Sequence, residues 1–225
     1  MKLFSVLKYY LTSIPTLINN FNFWSFPVIF FKKPILIKTS KKINLYVTNL
    51  MDIWIIKELI IDQCYNKFRN IKKNDVIIDV GASIGDFSIL ASKKEAKKIY
   101  AIEMNKKLVE IMKKNIKLNN AKNIIVINKR INSLNEIFSR YKIKKCDFLK
   151  IDCEGCEYQI FKRINKKNLN KIKYIAFEIH LFNKKMKKEF YKLKELLLKN
   201  KFKLKEIDNP VHEYLKFLFA MNEIA

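Results

Sequence analysis

The first 51 residues contain no aspartate or glutamate, although they hold seven lysines and a run of aromatics at Phe21, Phe23, Trp24, Phe26, Phe30 and Phe31. Acids begin at Asp52, so the chain reads as a basic aromatic extension over residues 1–51 and a domain over residues 52–225. Charge of either sign is missing from Tyr9 to Phe31, a stretch long enough to cross a bilayer. Pro15, Asn19, Asn20 and Asn22 lie within it and argue against a span. Leu3 to Leu7 is too short for the apolar part of a signal peptide, and no small-residue cleavage site follows, so the expected compartment is the cytoplasm. Two readings of the extension stand side by side. Residues 1–31 can touch an anionic membrane, at its inner face, with rings at headgroup depth and lysines near phosphates, or the segment covers an exposed face of the domain.

Histidine and cysteine are scarce too. His180 and His212 are the two histidines, and Cys64, Cys146, Cys153 and Cys156 the four cysteines. The C-x-x-C at Cys153 and Cys156 lacks two further soft ligands at zinc spacing. The cysteines therefore read as small buried residues in a reducing compartment, and no metal site is expected.

What is abundant is lysine, isoleucine, asparagine and phenylalanine. The net charge is +25, but the lysines run along the whole chain, as in Lys184, Lys188, Lys192, Lys199 and Lys205, which reads as solvated helix faces and not as one polyanion site. A length of 225 residues that is 49% hydrophobic fills one sizeable core.

From Asp52, a plausible N-cap, apolar residues Ile53, Ile56, Leu59 and Ile60 recur at helical spacing to about Phe68. Short β runs then alternate with helices: strands at Val76–Val80, Ile99–Glu103, Ile124–Ile127, Phe148–Asp152, Tyr174–Ile179 and Phe202–Ile207, and helices from Ile84, Asn105, Glu154 and Lys184. A last apolar run covers Tyr214 to Met221. Such alternation implies a mostly parallel sheet with helices on both faces.

Only Gly81, Gly85 and Gly155 are glycines, each a few residues beyond an expected strand. A chain so poor in glycine keeps it where a side chain would block a tight turn or a ligand, and strand ends are where open α/β sheets bind ligands. The turn Asp79-Val80-Gly81-Ala82-Ser83-Ile84-Gly85 opens a helix directly after an apolar strand. A dinucleotide fingerprint from Gly81 would need glycine where Ser83 and Asp86 stand, which disfavours NAD. The D-x-G-x-x-x-G spacing instead resembles the first motif of class I methyltransferases, which implies S-adenosylmethionine as cofactor, held at Asp79, Gly81, Ala82, Ser83 and Gly85. Glu103 ends the next strand, 18 residues beyond Gly85, where an acid accepts hydrogen bonds from ribose hydroxyls.

The third site, DFLKIDCEGCEYQIF from Asp147 to Phe161, crowds Asp152, Glu154 and Glu157 at a strand end. Desolvated carboxylates are costly unless partnered, so this cluster should face a polar cleft. The run resembles the hallmark of the FkbM family of methyltransferases, as do VIIDVGASIGDFSILAS around the glycine turn, YIAFEIH ending in Glu178 and His180, and the spacing of Asp52, Glu58 and Tyr65. The resemblance spans roughly residues 45–221. It implies a Rossmann-like class I methyltransferase fold with a seven-stranded sheet, and O-methylation of a sugar hydroxyl in a glycan, glycolipid or secondary metabolite. Asp152, Glu154 and His180 are the candidate catalytic residues, with Glu178 on the same strand face as His180 to orient its ring. The alternative is a methyltransferase acting on RNA or another nucleic acid. The chain has Asp152-Cys153-Glu154-Gly155 where base-amine methylating enzymes carry N-P-P-[YF] or D-P-P-[YF], and an acid cluster is a poor surface for phosphates. Nucleic acid is therefore not an expected partner.

Overall fold

In the computed structural model, residues 2–31 and 33–223 are described. The extension folds as helix α1 (Lys2–Asn20), a 3-10 stretch (Phe23–Phe30) and a hairpin of β1 (Ile35–Lys38) and β2 (Asn44–Val47). Two asparagines of a later helix attach this hairpin to the domain. The Asn115 amide accepts from Tyr46 N at 2.7 Å and donates to Tyr46 O at 3.2 Å, and Asn119 accepts from Asn44 N at 3.0 Å and donates to Asn44 O at 2.6 Å. The unpaired edge of β2 thus finds partners in side chains, as a buried strand edge must.

Helix α2 (Leu50–Ile56) begins one turn earlier than its sequence suggests. Asn49 is the N-cap and Asp52 sits at the third helical position, where its carboxylate accepts from Asn49 N at 3.2 Å while Asn49 Oδ1 accepts from Asp52 N at 2.9 Å. This reciprocal arrangement corrects the reading of Asp52 as the cap itself. The expected run to Phe68 also breaks up. A π turn over Lys57–Ile61 follows α2, Gln63 turns left-handed, and a 3-10 turn covers Cys64–Asn66.

The domain then alternates β3 (Val76–Val80), α3 (Asp86–Lys93), β4 (Lys98–Glu103), α4 (Lys106–Leu118), β5 (Ile124–Asn128), α5 (Asn135–Arg140), β6 (Phe148–Ile151), α6 (Glu157–Arg163), α7 (Lys166–Leu169), β7 (Tyr174–His180), α8 (Lys184–Lys199), β8 (Phe202–Asp208) and β9 (Leu215–Asn222). The seven-stranded sheet runs β5-β4-β3-β6-β7-β9-β8, parallel except where β9 pairs antiparallel with β7 and β8. Its inner strands are apolar on both faces because both faces are covered. Ile78, Leu149, Ile151, Phe177 and Leu218 meet α5, α6 and α8 on one side, while Ile77, Phe148, Tyr174 and Phe219 meet α3, the π turn and the hairpin on the other. Each such large side chain contributes on the order of 1.5–3 kcal/mol through burial. The strand order reverses between β3 and β6, and a crevice opens at the carboxyl ends there.

Candidate active site

Gly81 and Gly85 shape the first wall of the crevice. A Cβ on Gly81 would lie 1.7 Å from the Asp152 carbonyl oxygen, and the residue has φ +75°. It is thus the neighbouring strand end, not a ligand alone, that demands glycine here. A Cβ on Gly85 would meet Met112 of α4 at 2.7 Å, with φ +87°, so this glycine serves the packing of α3 on α4. Glu103 holds the turn: one carboxylate oxygen accepts from Ser83 N at 3.0 Å and the other from Asn105 N at 2.8 Å.

Behind the turn lies a buried charge pair that sequence reasoning missed. Lys150 interrupts the apolar strand β6, and its ammonium donates to Gly81 O at 2.8 Å and stands 3.4 Å from Asp79 and 3.5 Å from Asp152. Burial works against its charge, but Asp79, Asp152 and Asp86 outweigh that and hold its pKa above the usual lysine range. Asp79 is fully buried, accepts from Ser88 Oγ at 2.7 Å, and has its pKa raised by desolvation despite Lys150. Asp79 and Ala82 therefore sit behind the wall and steady it. The signal in the sequence was a lysine inside an otherwise apolar four-residue strand.

The opposite wall is made by β6, β7 and the segment before β3. Tyr65 Oη lies 2.9 Å from Glu178 Oε2 and 3.1 Å from Asp152 Oδ2. One hydroxyl proton serves only one of these carboxylates, so the second contact calls for a proton on a carboxyl group. Burial, and then the Asp152 charge, push Glu178 up to about 8, which makes it the group that carries it. His180 is buried at the end of β7, and burial lowers its pKa, so the ring is neutral at neutral pH. Its Nε2 stands 3.9 Å from Glu178 and its Nδ1 3.9 Å from Glu157, beyond hydrogen-bond reach in both cases. Asp152, Glu178 and His180 each offer a ligand atom within 4.8 Å of the others, the one grouping of three such side chains among the described residues able to hold a metal ion.

The cleft between these walls has a volume of about 660 Å³ and is lined by Gly81, Ser83, Glu103, Asp152, Glu154, Glu178 and His180 together. Glu58, Tyr65 and Asp86 also line it, and burial raises Asp86 to about 7. The three carboxylates of the sequence run separate. Asp152 and the exposed Glu154 reach the cleft, whereas Glu157 is fully buried, accepts from Gly155 N at 2.8 Å and is raised to about 7 by burial. Asp52 stays with its helix cap.

The cysteines need correction. Cys153 and Cys156 are half-buried, line the cleft and form a disulfide, their Cα atoms 5.5 Å apart. The Cys153-Glu154-Gly155-Cys156 turn, with Glu154 at φ 53° and Gly155 at φ 103°, brings the two sulfurs together. Cys146 is buried as expected.

This geometry is that of a class I methyltransferase, and comparison with known proteins agrees. The TRM5/TYW2 methyltransferase domain matches residues 61–153, and the FkbM methyltransferase domain matches residues 119–204. The chain is thus a methyltransferase-domain protein, and its resemblance to the FkbM family holds. It is 47% identical over 58 residues to the tRNA (guanine(37)-N(1))-methyltransferase Trm5b of Methanocaldococcus jannaschii, covering 26% of this chain and 17% of that one. An uncharacterised RNA methyltransferase of Clostridium tetani is 25% identical over 178 residues, 74% of this chain and 38% of that one. The chain spans well under half the length of these relatives. In fold it is similar to Aeropyrum pernix fibrillarin, solved with bound S-adenosylmethionine: TM-score 0.54, 14% identity, 73% of this chain and 74% of that one.

These relatives overturn the expectation that nucleic acid is not a partner. The reasoning from the acid cluster fails for a physical reason. Six of the 21 acids, Glu58, Asp86, Glu103, Asp152, Glu154 and Glu178, are drawn into the cleft, where Lys129 and Arg130 share the lining. The local acidity there says little about an outer surface that carries most of a +25 net charge.

Proposed function

We propose that this protein transfers a methyl group from S-adenosylmethionine to a hydroxyl oxygen of a sugar. The observation that carries the reading is that the Gly81–Glu103 wall and the Asp152–Glu178–His180 wall share one cleft. Its volume suits a nucleoside-sized ligand. Glu103, though already accepting from two backbone N–H groups, keeps lone pairs for ribose hydroxyls. When bound, the cofactor supplies an electrophilic methyl carbon. The chain's own work is to align the acceptor oxygen with it, exclude water and take up the hydroxyl proton. Asp152 is the leading base: its Oδ2 is tethered by Tyr65 and faces Lys150, which leaves Oδ1 for an acceptor hydroxyl. His180, neutral and at the same strand edge, is the second base candidate, and Glu154 at the rim meets the rest of the acceptor.

A second reading, RNA methylation, is favoured by the identity to Trm5b. Incubation with methyl-labelled S-adenosylmethionine and either a lipid and glycan extract or total RNA separates the two. Label recovered as O-methyl sugar from the glycan fraction supports the first reading, and label recovered in RNA replaces it with the second. Transfer at a reactive oxygen would be expected to fall by about 10²–10⁴ in Asp152→Asn.

A further inference from the structure

Helix α1 packs against the domain the wrong way round for a helix in water. The side chains it turns inward are Tyr9, Ser13, Thr16, Leu17 and Asn20, of which Ser13 is buried and the others half-buried. Tyr9 donates to Glu58, meets Trp54 edge to face and lies under the Lys57 ammonium. The opposite face carries Phe4, Leu7, Leu11, Ile14 and Ile18, all exposed. Their spacing of three and four residues forms one continuous apolar stripe. Trp24 (81% exposed) and Phe31 (92% exposed) extend the apolar surface past the helix end. Scattered exposed apolar side chains need no explanation, but a contiguous patch marks a surface that is covered in use.

Charge identifies the cover. The surrounding segment has no acid before Asp52, and Lys8, Lys33, Lys38, Lys41 and Lys42 are exposed in it. An apolar stripe flanked by tryptophan, phenylalanine and lysine is the composition of a helix that lies in a lipid interface. No described helix is long and apolar enough to cross a membrane, so the helix lies on the surface. We infer that α1 and the following aromatic stretch dock the protein on an anionic lipid bilayer. The docked helix is one side chain from the cleft, because Glu58, the partner of Tyr9, lines it. If the methyl-transfer reading holds, the acceptor is a lipid-borne sugar.

The test is cosedimentation of the full chain with phosphatidylcholine vesicles, with and without phosphatidylglycerol, free of cofactor. Binding is expected to the anionic vesicles alone and to fall as salt rises. Leu11→Glu with Ile14→Glu should weaken it roughly a hundredfold, since each of the two aliphatic side chains lost from the interface removes about a factor of ten. Near-ultraviolet circular dichroism establishes that this variant is folded, and Trp24→Ser with Phe31→Ser gives an independent variant outside the helix. Trp24 fluorescence should shift to the blue on docking. The inference fails if the wild-type chain stays in the supernatant, or if both folded variants sediment as well as it does. It also fails if light scattering shows a dimer that Leu11→Glu with Ile14→Glu dissolves, which would make the stripe an interface between copies. Cofactor titration of the same samples reports on the methyl-transfer reading separately.

Discussion

The two walls of the cleft are built on different physics. The Gly81–Glu103 wall is fixed by backbone: Gly81 abuts the Asp152 carbonyl, and both Glu103 oxygens accept backbone N–H groups. The Asp152–Glu178–His180 wall is a set of side chains that share protons and sit in one another's fields. A wall of the first kind has one conformation and tolerates no added atom. A wall of the second kind keeps its shape when a carboxylate becomes an amide but loses its chemistry.

The largest expected effect is therefore steric. Gly81→Val should prise β3 from β6, costing on the order of 4 kcal/mol or more and abolishing cofactor binding. A variant that melts with the wild type would refute the abutment. Next comes Asp152→Asn, expected to leave cofactor affinity unchanged while turnover collapses. Equal loss of both would erase the division between the walls.

The smallest effect is on stability against pH. Glu178 is raised from its ordinary 4.5 to about 8. Below 4.5 it is protonated whether folded or unfolded, so its contribution is fully present. Between 4.5 and 8 the unfolded chain releases the proton first, and stability from this group declines as pH rises through the window. Glu178→Gln removes that decline, so its melting temperature should gain on the wild type from pH 5 to pH 8. A constant difference across that range would mean that Glu178 titrates normally.

Much of this was legible in the sequence, and the reasons are physical. Strands β3, β4, β6 and β7 are short apolar runs because both sheet faces are covered, and Gly81 and Gly85 stood out because the chain has only three glycines. Asp152, Glu154, His180 and Glu103 were named from strand ends, and all four line the cleft. Lys150 and Tyr65 received no site role, since a strand lysine and a tyrosine well upstream acquire meaning only when the chain folds them onto Asp152. The Cys153–Cys156 bridge does not follow from the sequence, because a C-x-x-C gives spacing but not the turn that aligns its sulfurs. The helix after Asn49 was misplaced at both ends. Its cap is a reciprocal pair, and the π turn and left-handed Gln63 that end it leave no periodicity to read.

Calorimetric titration of the purified chain with S-adenosylmethionine tests the central claim most directly. One molecule should bind per chain, about 1–3 kcal/mol more weakly in Glu103→Ala through an unmade hydrogen bond, and with unchanged affinity in Asp152→Asn. A folded chain that gives no heat with S-adenosylmethionine but binds NAD would contradict it.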